Sequence, residues 1–153
     1  MPTSLILLVE DNPDHEMLAM RALKRNGIAN EVVVARDGAE ALEFLFATGA
    51  YAERDASVMP QVILLDLKLP KVDGLEVLRT IRGDDRTSLL PVVVLTSSDE
   101  EKDMVQSYRL GVNSYIRKPV AFEDFLEATR QLKMYWLVLN QPPPNGAGEK
   151  QDR

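Results

Sequence analysis

Five short, mainly apolar runs recur along the chain with longer amphipathic segments between them: LILLV (5–9), EVVVA (31–35), QVILLD (61–66), PVVVL (91–95) and NSYIR (113–117). No other feature constrains the fold as strongly. Runs of this length suit strands, and the intervals leave room for the helical crossovers that parallel strands require. The first, third and fourth runs are apolar throughout, as strands covered on both faces should be. The expected class is α/β, with a doubly wound five-stranded parallel sheet.

The intervals carry helix signals. Asn12-Pro13 offers an N-cap followed by proline at the first helical position. Asp37…Glu40, Asp73…Glu76 and Ser98…Glu101 each place a cap residue three positions before an acid. Gly27, Gly83 and Gly111 stand where the first, third and fourth helices should stop. The second helix is expected over 38–48 and an extended last helix over 121–139. Residues 50–60 form a longer connection with no periodicity. The stretch NQPPPNGAGEKQDR cannot pack a core and reads as a flexible tail, so the expected organisation is one domain (1–139) and a tail (140–153).

Composition removes several function classes. A net charge of −6 disfavours a nucleic-acid-binding surface. The chain has no cysteine, which excludes thiolate catalysis, disulfides and cysteine-based metal sites. LILLV is too short for a signal peptide or a spanning helix, so a cytoplasmic protein without membrane attachment is expected.

Asp66 then raises a question, because it is a lone carboxylate ending an apolar run. Burying an unpaired charge is costly, so it needs a partner, a metal or an opening onto solvent. In doubly wound sheets, ligands bind at the carboxyl ends of the strands. Glu10 and Asp11 follow the first strand, Thr96 and Ser97 end the fourth, and Lys118-Pro119 ends the fifth. Asp66 should therefore open into a crevice beside two other acids. Clustered carboxylates repel unless a cation joins them, and an all-oxygen donor set suits Mg²⁺. With the Lys118 ammonium and the Thr96 hydroxyl added, the set is suited to receive a phosphoryl group.

The motifs VEDN (9–12), LLDLKLP (64–70), DG (73–74), LTSS (95–98) and YIRKP (115–119) occur in this order, and all but DG follow an expected strand. On them, the chain resembles a response-regulator receiver domain from residue 5 to about residue 139. The resemblance implies a flavodoxin-like sheet of order 2-1-3-4-5. It implies Asp66 as phospho-acceptor and Asp11 and Asp66 as Mg²⁺ ligands. Glu10, where aspartate is also common, would act through a metal-bound water, and the Lys68 backbone carbonyl would complete the shell. Thr96 and Lys118 would bind phosphate oxygens, Tyr115 would be the aromatic whose rotamer follows Thr96, and the Lys118–Pro119 bond would be cis. The implied function is that of a single-domain response regulator in a two-component phosphorelay, phosphorylated by a histidine kinase and not itself an enzyme. Its output would be altered protein–protein contact or onward relay. The 50–60 connection, the YWLVLN segment and the triple proline resemble the small regulators paired with bacterial phytochromes.

Other readings fit less well. An aspartate-nucleophile phosphohydrolase needs a second acid two residues after the first, where this chain has Lys68. A nucleotide or flavin binder needs a glycine-rich turn after the first strand, and EDNPDHE contains no glycine. A pseudo-receiver that binds partners without phosphorylation is opposed by the intact acid, hydroxyl and lysine set. Tyr115 also fits ordinary half-buried packing. His15, the sole histidine, reads as a surface residue in the first turn of helix one. In the last helix, Phe122, Phe125, Leu126, Thr129, Leu132, Trp136 and Leu139 share one face, which leaves apolar Met134, Tyr135, Leu137 and Val138 off it. A helix apolar all round is normally covered all round, so a homodimer through this end is expected, with a folded-back tail as the alternative.

Overall fold

Each apolar run forms a strand in the computed structural model, which describes residues 5–28, 30–118 and 121–132. The elements follow in the order β1 (Leu5–Val9), α1 (Pro13–Arg25), β2 (Glu31–Ala35), α2 (Gly38–Phe46), a 3₁₀ turn (Gly49–Tyr51), β3 (Val62–Leu65), α3 (Gly74–Gly83), β4 (Val92–Thr96), α4 (Glu101–Arg109), β5 (Ser114–Arg117) and α5 (Phe122–Leu132). The five strands form one sheet in the order β2-β1-β3-β4-β5, with every neighbouring pair parallel.

Strand periodicity divides the core in two. Leu5, Leu7 and Val9 join Ile63, Leu65, Val92 and Val94 on one face, packed with Phe44 and Leu45 of α2 and Val77, Leu78 and Ile81 of α3. Ile6 and Leu8 join Val62, Leu64, Val93 and Leu95 on the other, with Ala19, Ala22 and Leu23 of α1 and Phe125 of α5. Burying each of the larger side chains contributes about 1.5–3 kcal/mol, so the central strands form a firm base for the loops at their ends. Register carries this order upward: Val9 aligns with Leu65, Leu65 with Val94, and Thr96 with Arg117. The residue after each strand therefore emerges at one common rim.

Three of the four expected caps form. Asn12 Oδ1 accepts from the backbone N–H groups of Asp14 and His15, Asp37 accepts from Glu40, and Asp73 accepts from Leu75. Ser98 does not cap α4. Glu100 occupies the cap position without a side-chain bond, while the Ser98 hydroxyl turns inward and donates to the buried Asp103. Helix α2 stops at Phe46, earlier than expected, because Ala47 takes a left-handed conformation (φ 55°) and its N–H closes onto the Glu43 and Phe44 carbonyls. Gly83 is the last residue of α3 rather than a residue beyond it. Gly111, at φ 76°, does end the turn after α4, in a conformation that favours glycine.

The aperiodic connection after α2 is organised by Arg54. Its guanidinium donates to the Phe44, Leu45, Asp55 and Val58 carbonyls and lies 4.0 Å from the centroid of the Phe44 ring. The expected extension of the last helix to 139, the expected tail 140–153 and the expected cis bond at Pro119 all lie outside the described residues.

Candidate phosphoryl and metal site

The turn from β1 into α1 is built by its sequence. Asn12 Oδ1 accepts from Asp14 N at 2.8 Å and from His15 N at 3.2 Å, and Pro13 begins the helix with no N–H to satisfy. This tight entry leaves Glu10 and Asp11 at the rim. Glu10 is buried at 2 % exposure, whereas Asp11 is exposed. The Asn12 N–H donates to Glu10 Oε2 at 3.2 Å.

Asp66 follows β3 and continues its ladder, donating its N–H to the Val9 carbonyl at 3.1 Å. The side chain is 5 % exposed, and Oδ1 accepts the Lys68 N–H at 3.0 Å. The backbone behind it is crowded by design of the sequence: a Cβ on Gly74 would stand 2.4 Å from the Asp66 carbonyl oxygen and 2.4 Å from Leu67 Cα. Only glycine permits α3 to start so close to the acid.

Glu10, Asp11 and Asp66 each offer one carboxylate oxygen, and these oxygens lie within 4.8 Å of one another. Lys118 supplies the neutralising charge. Its N–H donates to the Thr96 carbonyl at 2.8 Å, extending the β4–β5 ladder by one residue. Its Nζ donates to Glu10 Oε1 at 2.6 Å and to Asp66 Oδ2 at 3.2 Å, with a side chain only 8 % exposed. Burial pushes the Glu10 carboxyl above its ordinary value; the Lys118 hydrogen bond and charge oppose this, and the Asp66 charge adds to it. Asp66 is thus paired, buried and beside two further carboxylates.

The donor set also fits a divalent cation. It consists of carboxylate oxygens on three side chains, two of them buried, with no nitrogen or sulfur ligand among them. Hard oxygen donors of this kind suit Mg²⁺ or Mn²⁺.

Thr96, at the end of β4, is fully buried, and its Oγ1 accepts the Ser98 N–H at 3.2 Å. Ser98 Oγ in turn donates to Asp103 Oδ2 in the first turn of α4, and Ser107 Oγ bonds the Asp103 carbonyl at 2.8 Å. This chain joins the threonine to α4. Sequence reasoning missed Asp103 because an acid in a helix's first turn is ordinarily a solvated dipole partner. The only available signal was the serine five residues before it.

Tyr115 lies half-buried on β5, opposite Val94 rather than Thr96. Its hydroxyl is buried and makes no hydrogen bond among the described residues, and its ring centroid is 6.4 Å from that of Tyr108 on α4. Burial raises its pKa, and the nearby Ser98 hydroxyl works against this. His15 lies in the first turn of α1 with a partly exposed side chain, and it also reaches the site. Its ring is half-buried, with Nδ1 at 2.8 Å from Lys118 Nζ and 3.8 Å from Glu10 Oε2. Met134, Tyr135, Leu137 and Val138 lie outside the described residues.

Comparison with known proteins agrees with this fold. The response regulator receiver domain model matches residues 6–130. Response regulator Rcp1 of Synechocystis is 40% identical over 136 residues, covering 89% of this chain and 90% of its own. The crystal structure of its Mn²⁺-bound form aligns with a TM-score of 0.81 at 38% identity, over 92% of this chain and 99% of that one. The phosphorylated cyanobacterial phytochrome response regulator RcpA aligns with a TM-score of 0.82 at 40% identity, over 92% and 99%. The bacteriophytochrome response regulator AtBRR is 54% identical, with a TM-score of 0.74, over 92% and 100%.

Proposed function

We propose, from the premise that this chain belongs to the response regulator receiver domain family, that Asp66 is the residue through which it works. The chain is a receiver of the phytochrome response-regulator type acting in a phosphorelay, and such domains are generally signalling modules rather than enzymes. A histidine kinase is the implied donor. In the proposed step a carboxylate oxygen of Asp66 attacks phosphorus, the bond to the phosphohistidine nitrogen breaks, and the imidazole leaves with that electron pair. The observation that carries the assignment is the Lys118 ammonium at 3.2 Å from Asp66 Oδ2, beside two further carboxylates.

Each remaining residue has a role this geometry supports. The Lys68 N–H orients the Asp66 carboxylate through Oδ1. Glu10, Asp11 and Asp66 would hold Mg²⁺, with the Lys68 carbonyl as a further oxygen; when bound, the ion offsets charge on the phosphoryl oxygens. Lys118 and the Thr96 hydroxyl would receive the other phosphoryl oxygens. Recruiting the Thr96 hydroxyl would disturb the Ser98 N–H bond, and through Ser98 and Asp103 the position of α4. Tyr115, with an unpartnered hydroxyl beside this chain, is the side chain placed to respond.

The test is labelling by a small acyl-phosphate donor in Mg²⁺ buffer. Asp66→Asn abolishes it, and stoichiometric labelling of that variant would overturn the assignment. Lys118→Ala keeps cation binding but loses the phosphorylation-linked change, read as a shift in Tyr115 signals.

The finer readings rest on likeness and on sequence. A kinase of phytochrome type is supported by the relatives, and a cytoplasmic location by the absence of any described helix long and apolar enough to cross a membrane. One receiver domain to residue 139 with a tail from 140 is supported by the composition shift there. Homodimerisation is supported by the sequence run MYWLVL at 134–139, which would be apolar on nearly all faces if helical. Sedimentation of the wild type at micromolar concentration should give a dimer that Leu137→Glu and Val138→Glu dissociate; a monomeric wild type ends that idea.

A further inference from the structure

The Lys118 ammonium has three protons to donate and three acceptors within reach: Glu10 Oε1 at 2.6 Å, His15 Nδ1 at 2.8 Å and Asp66 Oδ2 at 3.2 Å. An ammonium accepts nothing, so the His15 Nδ1 must offer a lone pair, and the ring is the neutral tautomer protonated at Nε2. The carboxylates are buried at 3 % and 5 % side-chain exposure, whereas the His15 side chain is 42 % exposed and stands at the mouth of the site. Its place is fixed from below, because the His15 N–H and the Asp14 N–H both bond to the Asn12 cap.

We propose that His15 is a positioning residue for phosphoryl transfer, holding the Lys118 ammonium toward the mouth of the site through Nδ1. The inference rests on Asp66 being the phospho-acceptor. As Asp66 bonds to phosphorus, its oxygens lose acceptor strength toward Lys118. The ammonium then depends on its remaining partners for orientation, and His15 is the one on the side from which a donor enters. A lysine head on four rotatable bonds reaches many positions, and the imidazole selects one of them. The ring does not touch the transferred group in this role; it acts through Lys118.

Substitutions at this position separate the acceptor from the bulk of the ring. Asn places an amide oxygen where Nδ1 lies, Gln places one nearer Nε2, and Leu keeps volume with no acceptor. At one fixed pH, His15→Leu and His15→Gln should slow phosphorylation at saturating acyl-phosphate by roughly tenfold, the loss of one hydrogen bond to a charged group. The donor concentration at half-saturation and the Mg²⁺ affinity should stay within twofold of wild type, roughly the ordinary scatter of a preserved site. His15→Asn should recover most of the rate.

A second readout needs no donor. The Lys118 ¹⁵Nζ–¹H signal, assigned by its loss in Lys118→Arg, should be visible in wild type and His15→Asn and broadened or shifted in His15→Leu. Wild-type rates with an unshifted ammonium signal in His15→Leu would overturn the proposal. So would a His15→Asn variant as slow as His15→Leu, which would make the ring's volume the active feature. If Asp66→Asn is still labelled, the phospho-acceptor assignment has failed instead, and the ammonium signal still judges the hold of His15 on Lys118.

Discussion

Lys118 and Arg82 are both cations drawn partly out of water, and the chain satisfies them by opposite means. Lys118 stands at the carboxyl ends of β4 and β5 and is held by side chains, two carboxylates and an imidazole. Arg82, at the end of α3, lies near the amino ends of the same strands and is held by backbone. Its Nε donates to the Leu110 carbonyl at 2.6 Å, Nη1 to Ser88 and Leu90 at 3.0 and 2.8 Å, and Nη2 to Gly111 at 3.0 Å. Burial holds the guanidinium below its ordinary pKa, and among the described residues no carboxylate opposes this.

The difference separates scaffold from site. Carbonyls cannot leave, so Arg82 locks the turn after α4 to α3 and to the entry of β4. Carboxylates can exchange one cation for another or bond to phosphorus, so the Lys118 cluster can be rearranged without unfolding anything. A planar guanidinium suits the first task, because its fixed fork matches several carbonyls at once; a compact ammonium on a flexible stem suits the second.

The largest expected effect is a loss of stability that Mg²⁺ reverses at one cation and not at the other. Arg82→Ala strands several carbonyls and should cost about 3 kcal/mol in urea unfolding, with or without Mg²⁺. Lys118→Ala should cost about the same in a chelator, because it leaves buried carboxylates unpaired, but millimolar Mg²⁺ should restore most of it. Equal Mg²⁺ responses in the two variants would refute the distinction.

A smaller effect is expected in the wild type: Mg²⁺ at about ten times its dissociation constant should raise Tm by about 3 °C. Asp11→Asn should reduce that shift sharply, whereas Arg82→Ala should lower Tm and leave the shift intact. Calorimetry with and without chelator decides it.

The smallest concerns an acid held in the scaffold by a neutral donor. Tyr51 donates to Glu40 at 2.7 Å, and burial, then the bond to Glu40, push the phenol up to about 12 from its ordinary 10. A raised folded value means the stabilisation is whole below about pH 10 and disappears as pH climbs through about 12. The stability advantage of wild type over Tyr51→Phe should therefore shrink across that window and ignore Mg²⁺ throughout. A metal-dependent difference would show that this pair is coupled to the site.

Legibility followed the range of the interaction. The Asn12, Asp37 and Asp73 caps were readable because the donor and acceptor lie two or three residues apart. Ser98 carries the same spacing, yet its hydroxyl goes inward, since a buried Asp103 needs a donor more than an exposed helix end does. Ala47 offers no glycine signal, and its left-handed turn follows from where α2 must stop to let Tyr51 and Arg54 pack against Phe44. The membership of Glu10, Asp11, Asp66 and Lys118 in one site was readable because each directly follows a strand.

The strands, most helix ends, the common rim and the acids and lysine that meet there are written in local pattern. Those follow from periodicity and from turn chemistry, both of which act over a few residues. Tertiary structure alone decided that His15 would be a partner of Lys118, that Asp103 would be tied to Thr96 through Ser98, and that Arg82 would close the opposite end. Lys118 reaches across 108 residues to Glu10 and 103 to His15. No local pattern encodes such distances, because they depend on the register of β1, β3, β4 and β5 and on the angle at which the Asn12 cap launches α1.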